Sequence, residues 1–170
     1  MPRLWPALAL LALLLAPPAH ADEGGGAPPD FTLSSITGDE VTLSAHLKKE
    51  VVVLSFWATW CAPCAGEMKQ LQAMHTAYAK DGLTVLGVNV EGASSLEKVK
   101  STIAERGVTY PILLDPDTAV FKQFNSRRNL PFFLLIGKDG TIASKHAGFT
   151  PGDEVKLETE IRALLGLPAK

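Results

Sequence analysis

The two cysteines of this 170-residue chain, Cys61 and Cys64, stand three residues apart in the stretch "FWATWCAPC", Phe56 to Cys64. Such a pair can be a structural staple, half of a metal site, a peroxide-reducing thiol or a working redox couple. A staple is inefficient here. A loop of four residues restricts the unfolded chain by roughly 2 kcal/mol, against nearly 5 for a loop of about 100 residues. A metal site needs further ligands, and His46, His75 and His146 are scattered without paired spacing. Peroxide reduction asks for a hydroxyl three residues before the reactive cysteine; that residue is Ala58, with Thr59 one position off. A redox couple asks for a strand-to-helix junction, where the helix start favours a thiolate.

The flanking patterns supply that junction. "VVVLSFWA", Val51 to Ala58, is almost continuously apolar and β-branched, as in a buried central strand. After the motif, Met68, Leu71, Met74, His75 and Tyr78 recur at spacings of three and four, with no proline from Ala65 to Ala79. This predicts an amphipathic helix. Upstream, "FTLSSITGDEVTL" alternates about a Thr37–Gly38 turn and predicts a short hairpin. Downstream come a strand in "LTVLGVNVE", then a helix capped by Ser94 or Ser95 and stopped by Gly107. A short strand in "YPILLD" and a short helix in "DTAVFKQF" follow. Two strands about a Lys138–Gly140 turn precede a last helix with Thr150 as cap, Pro151 at its first position and Gly166 at its end. Strands alternating with helices and closed by a hairpin describe an α/β domain with a mixed sheet covered by helices.

At such a junction Cys61 falls at or just before the first helical turn. Free backbone N–H groups and the helix dipole there favour its thiolate, below the ordinary free-thiol value of about 8.5. Cys64, one turn on, faces inward and titrates above that value. Pro63 suits the first turn, where no hydrogen bond is lost, and holds the turn open. The Cys61 thiolate then attacks a substrate disulfide, and Cys64 resolves the mixed disulfide.

The chain begins with Arg3 and an apolar run, "ALALLALLLA", broken by Pro17 and Pro18 and followed by "AHA". This reads as an export signal, residues 1–21, cleaved after Ala21; the alternative is an uncleaved anchor. The polar, Gly/Pro-rich residues 22–29 read as a flexible leader and 30–168 as one domain. A net charge of −2, about −3 after loss of Arg3, points to neither nucleic acid nor an anionic membrane as partner.

"FWATWCAPCAGEM" resembles the active site of the exported thioredoxin-like TlpA/ResA family. "APPDFTLSSITGDEVTLSAHLKKEVVVLSFWATWC" is similar to that family's N-terminal hairpin and first central strand. "LTVLGVNVEG" with "GVTYPILLD" resembles its inserted helix and strand, and "NLPFFLLIGKDGTIASKHAG" its cis-proline segment and closing hairpin. The resemblance runs from Pro28 to Leu165. It implies a thioredoxin-like fold and extracytoplasmic thiol–disulfide exchange, usually as a reductant, in cytochrome c maturation or other reductive tasks. Its partners would be exported proteins with disulfides or thiols, and its electron donor a membrane protein of the CcdA/DsbD type. No cofactor beyond the Cys61–Cys64 disulfide and no metal is implied.

Residue by residue, the resemblance makes Cys61 the attacking and Cys64 the resolving thiol. Pro131 matches the cis-proline facing the pair, which would turn the Leu130 backbone toward an extended substrate. Trp57 reads as core packing, and Trp60 as an exposed apolar surface beside Cys61. Ser55 replaces the buried Asp of thioredoxins and cannot accept its proton. Glu91 is the nearest counterpart of the family's acid after the second strand, offset by one position; the other reading is a solvated loop acid. Glu67 matches the acid of "CxxCxxE", although on the helix pattern it reads as a surface residue. Lys69 replaces a kinking proline. Phe132 and Phe133 stand where small hydroxyl residues are common, and Arg127 and Arg128 read as solvated, the other reading being that they stabilise the thiolate or guide an acidic partner. Two other functions stay open: a peroxiredoxin-like peroxidase, and a non-catalytic thiol- or metal-binding module on the same fold.

Overall fold

The computed structural model describes residues 25–168. The signal-peptide reading falls outside them. Among the described residues no helix is long and apolar enough to cross a membrane.

The buried run after Glu50 forms β3, Val51–Trp57, and every residue of it is buried. It pairs in parallel with β4, Leu83–Asn89, which pairs in parallel with β5, Ile112–Leu114. On its other side β3 pairs antiparallel with β6, Phe132–Ile136, and β6 with β7, Ile142–Ala147. The sheet order is β5-β4-β3-β6-β7. Strands β1, Thr32–Ser34, and β2, Glu40–Thr42, form the expected hairpin. The hairpin is tied to β5 by the Ser35–Leu113 bridge and by Ile36 N–H donating to the Ile112 carbonyl at 3.0 Å. It thereby covers an edge that would otherwise be open to pairing.

Alternation along the strands divides the core. On one face Val51, Val53, Trp57, Val85, Ile112, Phe133 and Leu135 pack against α1, Ala62–Tyr78, α2, Leu96–Arg106, and α4, Asp153–Leu165. On the other, Val52, Leu54, Phe56, Leu86, Val88 and Leu134 pack against α3, Ala119–Phe124, and the hairpin. Both faces being covered explains why β3 reads as a continuous apolar run.

Helix ends depart from the expected caps in detail. Ser95 makes no capping bond; a 3₁₀ turn over Ala93–Ser95 leads into α2 instead. The last helix starts at Asp153, not Pro151, because the Asp153 carboxylate takes hydrogen bonds from Thr150 N–H (2.7 Å) and Oγ1 (2.8 Å). In the described part of the leader, the Gly26 carbonyl accepts from Ile142 N–H at 3.1 Å and Pro28 is buried.

Candidate active site

The parallel β3–α1–β4 unit sets the site at the carboxyl end of β3, where helix α1 begins. Cys61 is the N-cap of α1 in an extended conformation, and its N–H donates to the Ala58 carbonyl at 3.1 Å. Pro63 lies in the first turn, where its missing N–H costs nothing. Cys61 and Cys64 are joined as a disulfide, with Cα atoms 5.4 Å apart. Cys61 is 4% exposed and Cys64 wholly buried. Trp57 is buried, while Trp60, beside Cys61, is 67% exposed.

The loop carrying Trp60 is held from β4. Glu91 accepts from Thr59 N–H through Oε2 and from Thr59 Oγ1 through Oε1 at 2.8 Å. Asn89 Nδ2 donates to the same carboxylate at 3.1 Å, and Asn89 Oδ1 accepts from Glu91 N–H. Partial burial works against the charge of Glu91, but the Thr59 and Asn89 bonds outweigh it and hold the carboxyl below its ordinary value. Glu91 is therefore a loop clamp. Val90 N–H adds a bond to the Trp57 carbonyl at 3.1 Å.

The surface reading of Glu67 is overturned. Glu67 is 1% exposed, and Ser55 Oγ donates to its Oε1 at 2.6 Å. The reason is helical phase. Glu67 lies three residues after Cys64 and four before Leu71, on the stripe that faces the sheet. Ser55, in β3 beneath it, is small enough to admit a carboxyl and polar enough to bond it. Burial raises the Glu67 pKa to about 8, and the Ser55 bond opposes that only in part. The inner cysteine thus has, one turn on, an acid that is mostly protonated at neutral pH.

Leu130–Pro131 is a cis peptide, as expected of the segment before β6. The Pro131 carbonyl accepts from Gly148 N–H at 2.8 Å. Leu130 is half-buried and packs against the cluster that contains Cys61, Cys64, Phe133 and Phe149. Of the two phenylalanines after Pro131, Phe133 joins this cluster and stacks on His146 with ring centroids 4.6 Å apart. Phe132 points to the opposite face, onto Phe56. Only Phe133 therefore adds to the apolar surroundings of the disulfide. Arg127 and Arg128 are exposed. The roles of Ser55, Thr59 and Asn89 escaped the sequence reading; the alignment of position 67 with 64 and 71 was the available signal for the first.

Fold and pair together define a thioredoxin-fold thiol–disulfide oxidoreductase. The AhpC/TSA family model matches residues 25–145. The thiol-disulfide oxidoreductase ResA of Geobacillus kaustophilus is 36% identical over 138 residues, 80% of this chain and 76% of that protein. The sporulation thiol-disulfide oxidoreductase A of Bacillus subtilis is 28% identical, over 84% of this chain and 86% of that one. A Chlorobium tepidum crystal structure, provisionally assigned as thiol:disulfide interchange protein DsbE, superposes with a TM-score of 0.77 at 31% identity. The match covers 84% of this chain and 98% of that one. The chain belongs to the ResA-like thiol-disulfide oxidoreductases of the AhpC/TSA family.

Proposed function

We propose that this protein is an exported reductase of disulfides in other extracytoplasmic proteins, with residues 1–21 as its cleaved signal. The observation that carries the reading is a Cys61–Cys64 disulfide at a helix start with a buried carboxyl, Glu67, one turn behind the inner sulfur. In the reduced enzyme the Cys61 thiolate attacks a substrate disulfide, and one substrate sulfur leaves as thiolate. Cys64 then loses its proton to Glu67, in the fraction of molecules whose carboxyl is ionised, and its sulfur attacks Cys61 Sγ. The second substrate sulfur leaves and the enzyme disulfide re-forms. Two electrons have passed to the substrate, and a dithiol donor, by family resemblance a membrane protein of the CcdA/DsbD type, must return them. Trp60 offers the substrate an exposed apolar surface, and the Leu130 backbone, ahead of the cis Pro131, is where an extended substrate segment would pair. A substrate with a vicinal Cys-x-x-Cys-His pair, such as an apocytochrome c, suits this chemistry.

Peroxidase chemistry is disfavoured by the same geometry. Ala58 is buried and has no hydroxyl, and Thr59 Oγ1 donates to Glu91. The deciding experiment is dithiol-driven reduction of insulin and of an oxidised Cys-x-x-Cys-His peptide, with a redox titration of the pair. Turnover abolished by Cys61→Ser, with a potential below about −200 mV, is expected. Rapid peroxide consumption without disulfide reduction, or a potential near −120 mV, would overturn the reductase assignment.

A further inference from the structure

The register lines up Ile112, Gly87, Ser55, Phe133 and His146 across the sheet beneath α1. Two adjacent members of this row, Gly87 and Ser55, are nearly without side chain, and Ser55 bonds Glu67 there. Over Gly87 three side chains converge. A Cβ at that position would lie 2.7 Å from Ile112 Cδ1, 3.0 Å from the Tyr110 ring and 3.4 Å from Trp57 Nε1. Only glycine lets them approach the strand so closely.

Three polar atoms of this group have no protein hydrogen-bond partner among the described residues: Glu67 Oε2, Trp57 Nε1 and Tyr110 O–H. Their side chains are 1%, 1% and 3% exposed. Buried polar groups in folded proteins are almost always satisfied, by protein or by ordered water. The three atoms are chemically complementary. An indole N–H can only donate, a phenol can donate, and a carboxyl oxygen can accept. When Glu67 is ionised, one water that accepts from Trp57 and Tyr110 and donates to Glu67 satisfies all three, within the usual coordination of buried water.

We propose that Trp57, Tyr110 and Glu67 hold one ordered water behind the disulfide, and that Tyr110 acts through it as a positioning residue for the Glu67 carboxyl. The electrostatics agree with this placement, since the Glu67 charge works against ionisation of Tyr110, second to burial itself. Other polar neighbours are few. His75 of α1 meets the Tyr110 ring edge-on with centroids 6.0 Å apart, and its Nδ1 is also buried without a partner. Arg106 of α2 favours the Tyr110 phenolate and donates to Met68 Sδ at 3.6 Å. Ser55 of β3 serves the other Glu67 oxygen.

A water that donates to Oε2 favours the carboxylate, so weakening its hold disfavours the carboxylate. In Tyr110→Phe the Glu67 carboxyl, followed by carbon NMR, should titrate about half to one pH unit higher. The pH profile of Cys64-dependent release from a Cys61 mixed disulfide should move by the same amount. In the wild-type protein the Trp57 indole N–H should show magnetisation transfer from a long-lived water. An indole N–H without that signal overturns the proposal, even if Tyr110→Phe fails to fold. So does a folded Tyr110→Phe protein whose Glu67 titration is unmoved. The catalytic consequence rests on the redox reading above, but the water site does not. If the wild type reduces no disulfide yet gives both signals, the site stands and the reductase assignment falls.

Discussion

Replacing Glu67 by Gln should remove the share of the pH dependence of stability that comes from this one position, and the size follows from the burial of that side chain. In the unfolded chain the carboxyl titrates at its ordinary 4.5, and in the fold at about 8. Between these values the folded state holds a proton that the unfolded state has lost. Stability contributed here is therefore intact below about pH 4.5 and is lost as pH rises toward 8. Each pH unit inside the window costs about 1.4 kcal/mol. The accumulated cost is on the order of 3 kcal/mol at pH 7, a large share of the 5–15 kcal/mol typical of a domain. Glu67 is 1% exposed, so solvent screens little of it. Glutamine keeps an oxygen to accept from Ser55 and has nothing to titrate. The assay is urea unfolding of both oxidised proteins at pH 5, 6, 7 and 8; every other titrating group cancels in the difference. At pH 5 the variant should be equal or weaker, since its amide brings two donors that need partners. By pH 8 the difference should have moved in favour of glutamine by roughly 3 to 4 kcal/mol. Parallel curves across this range would refute the claim that a buried, mostly neutral acid stands behind Cys64.

Glu91 should behave oppositely. Its bonds to Thr59 and Asn89 hold its pKa down, so its contribution is present above about pH 4.5 and lost as pH falls through the lowered folded value. Glu91→Ala should cost about 1–3 kcal/mol at pH 7, checked by the same unfolding assay, because Thr59 N–H loses its acceptor. Alkylation of the reduced protein by iodoacetamide should modify Cys61 well before Cys64 at every pH from 6 to 8, checked by peptide mass spectrometry. Equal rates would contradict the division into outer attacking and inner resolving thiols.

Much of this was legible in the chain because hydrophobic period and turn chemistry are local. The run Val51–Trp57 read as a buried central strand and is one, and Gly107 and Gly166 do take the left-handed conformation that stops a helix. The position of Cys61 at the start of α1 and the cis-proline before β6 followed from pattern and resemblance. What stayed hidden was non-local. Nothing near Glu67 in sequence announces Ser55, twelve residues away, and a glutamate on a helix is ordinarily solvated. The link from Thr59 to Glu91 spans 32 residues and exists only because β3 and β4 end side by side. The convergence of Tyr110 and Trp57 over Gly87 depends on a register that composition does not encode.

These hidden contacts explain how one small site can keep two carboxyl groups in different states. Glu91 is partly exposed, accepts three hydrogen bonds and stays charged. Glu67 is enclosed, accepts one bond and is pushed toward neutrality. Environments that separate two similar groups in this way divide their labour. The charged acid can only hold, and it holds the loop that presents Trp60 and Cys61. The neutral acid titrates near the working pH, where a group exchanging a proton with Cys64 is most effective. Ser55 makes this division possible. Its hydroxyl lowers the Glu67 pKa from what burial alone would impose, and its small size leaves the carboxyl room above the sheet. Ser55→Ala should therefore leave Glu67 more firmly protonated and slow the resolving step, whereas Ser55→Val would fill the space that the carboxyl occupies.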